Sequence, residues 1–196
     1  MNVTKQASPL LLSLLPEAFA PVSEARVEMD GRPVIHSRAE RSDGAHCGLG
    51  GEHVSIVESE DGTLLGFTRM TREMAQPATL PSEDIARDVA MRFLEHQAPD
   101  LLDKHDIHWI APHDETITVN NRERKQTLTL TGMKVKMRST KPDQLWFWVI
   151  VGPNEEVMVF ERDIFWVTMP GHRRTEKWLH DSWLAEKQQN LSPGEH

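Results

Sequence analysis

The chain has one cysteine, no tyrosine and no long apolar run. With Cys47 alone there is no internal disulfide and no zinc knuckle built from several thiolates. No stretch approaches the roughly 20 apolar residues that a membrane-spanning helix needs. Positive charge is also in deficit: 22 Lys and Arg stand against 30 Asp and Glu, a formal charge of −8. That balance argues against general nucleic-acid coating. What is present is ordinary for a folded chain, with 38% hydrophobic and 27% charged residues in 196. A chain of this length buries enough surface to fold without staples.

Near the N-terminus, Lys5 precedes Leu10-Leu11-Leu12-Ser13-Leu14-Leu15 and Ala18-Phe19-Ala20, the outline of a secretory signal. The apolar stretch is short, bracketed by Pro9 and Pro16, and followed by Glu17. Ser8-Pro9 reads better as an N-cap with proline at the first helical position. The expectation is a cytoplasmic protein without a membrane span, with export as the alternative. Residues 1–45 read as an N-terminal arm or irregular preface carrying a short helix, with room for a short strand within Ala25–Val34, and residues 46–190 as a single domain.

Within that domain, Val54–Val57 and Leu64–Met70 flank Glu60-Asp61-Gly62, a hairpin signal. Ser82 then caps a helix in which Ile85, Val89 and Phe93 repeat every four residues beside Ala86, Ala90 and Leu94. From Ile107 the period becomes two. Leu128 and Leu130 alternate with threonines, and Met133, Val135 and Met137 alternate with Lys134, Lys136 and Arg138. Leu145–Val151 is wholly apolar and predicts a central strand. A turn at Gly152-Pro153-Asn154 returns the chain through Val157–Arg162. A last amphipathic helix is expected over 173–188, with Trp178, Leu179 and Trp183 on one arc. The fold class that follows is α+β: a curved antiparallel sheet with one main helix packed on it, plus the C-terminal helix.

The Leu80-Pro81-Ser82-Glu83-Asp84-Ile85-Ala86 helix start and the later hairpin from Leu145 to Glu161 resemble the PepSY family of small helix-plus-sheet domains. The resemblance spans His53 to Phe165. It implies a cystatin-like sheet curved around a helix and a binding or peptidase-modulating role without catalytic residues.

Several constellations carry possible chemistry. His46-Cys47 and the glycines that follow have the parts of a nucleophile site with backbone amides for an oxyanion. No family-specific cysteine signature accompanies them, and no catalytic residue is assigned. His105, His108 and His113 are the candidate metal ligands, yet on a strand the first two face opposite ways. No metal or other cofactor is assigned. Between Arg122 and Lys141 seven cations meet one anion, +6 locally against −14 elsewhere. Lys134, Lys136 and Arg138 share a strand face, and Arg124 joins them if Gly132 lies in a turn. Trp146 and Trp148 share a face of the central strand. His172–Lys177 would put cations at a helix N-terminus and so needs an acidic partner such as Glu161 or Asp163.

With no complete catalytic set, the expectation is a non-enzymatic binding domain, with a homodimer as an open alternative. It would recognise a protein partner or small anionic ligand through Lys134, Lys136, Arg138, Arg124, Trp146 and Trp148. The alternative is a small-molecule or enzymatic domain with a Trp- and His-lined pocket between the sheet and the Ile85–Leu94 helix.

Overall fold

A computed structural model describes residues 7–75, 79–121 and 124–191. The chain order is α1 (Pro9–Leu14), β1 (Phe19–Met29), β2 (Arg32–Arg41), β3 (His53–Ser59), β4 (Leu64–Met70), α2 (Glu83–Gln97) and α3 (Pro99–Leu102). There follow β5 (His105–Asn121), β6 (Arg124–Ser139), β7 (Trp146–Val151), β8 (Val157–Ile164), the short β9 (Trp166–Val167) and β10 (His172–Arg173), and α4 (Asp181–Leu191). The first eight strands form one antiparallel sheet in the order β1-β2-β3-β4-β8-β7-β6-β5. It consists of two four-strand meanders, joined where β4 pairs with β8.

The expected sheet with one main helix is therefore overturned. With 49% strand and 23% helix, the molecule is a large sheet carrying four short helices. Residues 19–41, read from sequence as part of an arm with no more than a short strand within Ala25–Val34, are the long hairpin β1–β2, with β2 paired to β3 from Val34 to Glu40. β1 is an edge strand, largely exposed on both faces, so it has no apolar alternation to read. The charged stretch Arg38 to Arg41 continues β2, and Arg38 is buried.

On one face the sheet carries the helices. Ser82 Oγ accepts the Ile85 N–H at 3.3 Å and starts α2, with Glu83 and Asp84 favourably placed in its first turn. The buried stripe of α2 is Ala86, Val89, Ala90 and Leu94, whereas Ile85 is exposed. That stripe packs into one core with Phe67, Phe160, Val135, Val149 and Leu11 of α1. Fully burying a side chain such as Leu94 contributes roughly 1.5–3 kcal/mol. Ser8 does cap α1, its Oγ accepting the Leu11 N–H at 3.3 Å.

β6 runs unbroken through Gly132, so the turn that would have brought Arg124 to the cation ladder does not form. A Cβ there would lie 2.7 Å from Ile150 Cγ2 and 2.9 Å from the Val151 carbonyl oxygen, so glycine permits close packing of strands rather than a reversal. The buried positions change phase across it. Leu130 packs with Ile117, Ile150 and Met158 on the face opposite α2, and Met133, Val135 and Met137 pack beneath α2. Each half of one strand is covered from a different side.

The second face is covered by the C-terminal segment. Helix α4 begins at Asp181, eight residues after the expected start, because residues 165–173 fold back as the β9–β10 hairpin. Leu179 fits against the sheet at Gly66, where any Cβ would collide with its Cδ1.

Candidate ligand-binding cleft

Beneath α4 the second face is polar. Antiparallel register sets His53 opposite Met70 and Ser55 opposite Thr68, while Val54 and Ile56 point into the helical core. His53, Ser55 and Thr68 are all nearly inaccessible to solvent. The tip of the β5–β6 hairpin closes one side, with the Thr118 N–H donating to Gly50 O at 2.6 Å and the Asn120 N–H to His46 Nδ1 at 3.0 Å. The result is a cleft of about 270 Å³. Its walls come from Leu49 and Gly50 of the loop before β3, His53, Thr68 and Met70 of the sheet centre, and Glu115, Thr116 and Thr118 of β5. Val159 of β8 and Leu179 to Ser182 with Ala185 complete it.

Two charge clusters pin the C-terminal segment over this floor. Arg38 donates from Nη1 and Nη2 to the two Asp181 oxygens at 2.7 and 3.1 Å, from Nε to Glu40 at 2.8 Å, and from Nη2 to Gly48 O at 3.0 Å. Asp181 also accepts the Gly50 N–H at 2.6 Å. The glycine-rich stretch thus does turn an amide toward an anion, and the anion is a carboxylate of this chain. Gly50 adopts φ +84°, and at Gly51 a Cβ would collide with His46 O, so the loop requires glycine at both positions.

The second cluster centres on Glu161, buried in β8. Arg173 Nη1 lies 2.7 Å from one oxygen and His180 Nε2 3.3 Å from the other. Arg173 therefore has the acidic partner its sequence position demanded, although no helix begins there. Burial would raise the Glu161 carboxyl, but the His180 hydrogen bond and the Arg173 charge prevail and hold it at about 2. A reciprocal pair of 3.1 Å bonds, Asp30 N–H to Glu176 and Glu176 N–H to Asp30, fastens the same segment to the β1–β2 turn.

Within the cleft two groups have no partner among the described residues. His53 Nδ1 donates to Gly51 O at 2.8 Å, which leaves Nε2 as an acceptor with nothing bound to it. Burial, then the Arg38 charge, pushes His53 down and keeps its ring neutral. Thr68 Oγ1 also lacks a partner, and so does Ser55 Oγ, which pairs across from Thr68 but lies outside the cleft wall. An unmet buried polar group costs roughly 1–3 kcal/mol, so two on one wall leave that surface with unused hydrogen-bonding capacity.

The residues singled out from sequence are dispersed differently. Lys134 Nζ stands 3.9 Å from the centre of the Trp148 ring, and Lys136 Nζ is 4.5, 5.5 and 5.4 Å from those of Trp146, Trp109 and Trp166. Arg138 lies 5.2 Å over Trp146. Trp146 and Trp148 thus support cations on the face opposite α2 and cannot line a pocket beneath that helix, whose space is filled by core. Burial pushes Lys134 down to about 8. Arg124 sits ten residues from Lys134 along one continuous strand, about 33 Å away, and is not part of the ladder. Arg122 lies outside the described residues.

His105 bonds Leu101 O through Nδ1 at 2.9 Å, His108 rests edge-on against Trp146, and His113 approaches Glu115 at 3.3 Å. They do not converge, and no group of three potential metal ligands occurs among the described residues. Cys47 is exposed, and burial of its sulfur together with Glu40 pushes the thiol up, away from nucleophilic character. His46 turns from it toward Asn120. No helix is long and apolar enough to cross a membrane among the described residues. Comparison with known proteins finds no matching family model, no similar curated protein and no similar solved structure.

Sequence reasoning missed His53, Thr68 and Asp181. The available signal was His and Ser alternating with Val and Ile in His53–Val57, polar groups spaced along one face of an otherwise apolar strand.

The clusters give stability two acid-sensitive windows. His36, beside Arg38, is pushed down to about 4, first by burial and then by the Arg38 charge. As pH falls from 6.5 toward 4 the unfolded chain takes up a proton that the folded chain refuses, so stability drops. The Glu161 contribution is complete above 4.5 and is lost as pH falls toward 2. Thermal midpoints across pH 7 to 3 should decline in both windows. His36→Gln should make the upper one shallower without abolishing it, because buried His53 is pushed down as well, and an unchanged upper slope in that variant would contradict the assignment.

Proposed function

We propose that this protein is a binding domain that takes a small molecule in the cleft between the sheet and α4. The observation that carries the reading is the unpartnered His53 Nε2 at the cleft floor, with Thr68 Oγ1 likewise unpartnered beside it. Pockets with a few convergent polar groups on apolar walls are the usual form of a ligand site. Here Leu49, Met70, Val159 and Leu179 supply the apolar part. The other flank of α4 borders a groove of about 380 Å³ lined by Val22, Val27, Trp178 and Leu184. It is the larger space and holds one unpartnered buried group, His36 Nε2, whereas the cleft brings two, His53 Nε2 and Thr68 Oγ1, onto one wall, and hydrogen-bond demand rather than volume selects the site.

Thr68→Val tests this directly, because it removes a hydroxyl while keeping the shape. The free protein should become more stable, by about 1–3 kcal/mol. A fragment screen followed by NMR should lose the hits that shift cleft residues. If the substitution destabilises the protein and leaves those hits unchanged, the floor is structural and the reading fails.

A second reading, a protein partner or anionic ligand on the cation ladder, is favoured by one observation. Neither Lys134 nor Lys136 forms an ion pair or a hydrogen bond with a carboxylate among the described residues, and Trp109 and Trp166 beside Lys136 are exposed. Lys134 is too enclosed for a clean reversal, so the informative variant is Lys136→Glu with Arg138→Glu. It should abolish salt-sensitive binding of an anionic partner while moving the thermal midpoint little. Retention of binding would reduce the ladder to a solvated face.

A further inference from the structure

We propose that the cleft selects a small organic cation, which donates to His53 Nε2 and sets its charge against Glu115. This rests on the cleft being a ligand site and specifies the chemistry of its occupant.

The wall of the cleft contains no lysine or arginine. It contains two carboxylates. Asp181 is already matched by the two-pronged Arg38 contact and the Gly50 amide. Glu115 is not. Its nearest cationic side chain among the described residues is His113, 3.3 Å away and charged only when protonated, and Lys134 makes no ion pair with it. Lys134 influences Glu115 only through its field, from a position outside the cleft wall. His180, the remaining titratable side chain of the wall, turns Nε2 toward Glu161.

Hydrogen-bond capacity points the same way. With its proton on Nδ1, His53 offers Nε2 only as an acceptor. Thr68, Thr116, Thr118 and Ser182 can donate or accept and so do not decide the matter. An anion entering here would meet a lone pair and a carboxylate whose one close partner is the His113 ring, and like charges brought together in a partly dry site are strongly disfavoured. A cation with N–H donors satisfies both groups. The volume, about 270 Å³, lies just under the roughly 300 Å³ where drug-sized pockets begin, which suits a fragment-sized molecule with one flat or aliphatic side for Met70, Val159 and Leu179.

Benzamidine, benzamide and benzoate share one planar frame and differ in charge and donors, so they separate the possibilities. Titrated at millimolar concentration into 15N-labelled full-length protein, they should shift cleft amides with affinities in the order benzamidine, benzamide, benzoate. The first should exceed the last by about tenfold or more. Glu115→Gln, whose side chain is partly exposed and poses little risk to folding, should erase the preference of benzamidine over benzamide while both still bind. Benzoate binding as well as benzamidine, or a cation preference that survives Glu115→Gln, overturns the proposal and leaves the cleft standing as a site for another ligand. Failure of all three to shift cleft residues also overturns it. In that case the Thr68→Val screen decides separately whether the cleft binds anything.

Discussion

The Arg38–Asp181 contact holds the second face of the sheet together. It lies between β2 and the first residue of α4, and through Gly48 O and Gly50 N–H it takes in the glycine loop as well. Both side chains are almost wholly removed from water. Breaking such a pair leaves a buried charge behind, typically a loss of 3–5 kcal/mol, so the three elements are constrained to one arrangement. That arrangement places Leu49 and Gly50 on one rim of the cleft and His180 to Ser182 on another. The Glu161–Arg173–His180 cluster repeats the device a few residues earlier in the chain, using a carboxylate from the middle of the sheet.

The two faces of the sheet divide the work. The face under α1 and α2 is apolar and carries most of the large buried side chains, including Phe67, Phe147, Phe160 and Leu94. The other face has smaller apolar clusters separated by His53, Ser55, Thr68, Glu161 and Lys134. A sheet that needed only stability would not keep unpaired hydroxyls and a histidine acceptor at its centre, and local departures from packing rules tend to mark function. The helical side can bear that cost because its core is complete.

Much of the first face was legible in the sequence. Ser82, the acidic first turn and the apolar repeat located α2, Asp61-Gly62 located the β3–β4 hairpin, and the unbroken apolar run located β7. β1 and β2 were illegible because an edge strand wet on both sides shows no alternation, and because Arg38 is buried by an ion pair rather than by apolar packing. Gly132 misled because a glycine needed for close strand packing looks the same in sequence as one needed for a turn. The cleft was harder still. His53, Thr68, Glu115 and Asp181 are ordinary residues far apart in the chain, and only register and the folding-back of the C-terminal segment unite them. His46–Gly51 drew attention to the correct loop for a different chemistry: its glycines serve Asp181 rather than a reacting oxyanion.

A donating ligand at the cleft floor needs His53 Nε2 as an acceptor, and the ionisation state of that imidazole decides whether it is one. Long-range 1H–15N correlation of the His53 ring in the free protein at neutral pH should show a neutral ring protonated at Nδ1, with Nε2 bare. That state should persist below the pH at which an ordinary histidine takes up its proton, because burial and Arg38 disfavour the imidazolium. A ring protonated at Nε2, or an imidazolium at neutral pH, would mean that the floor donates rather than accepts, and would contradict the account.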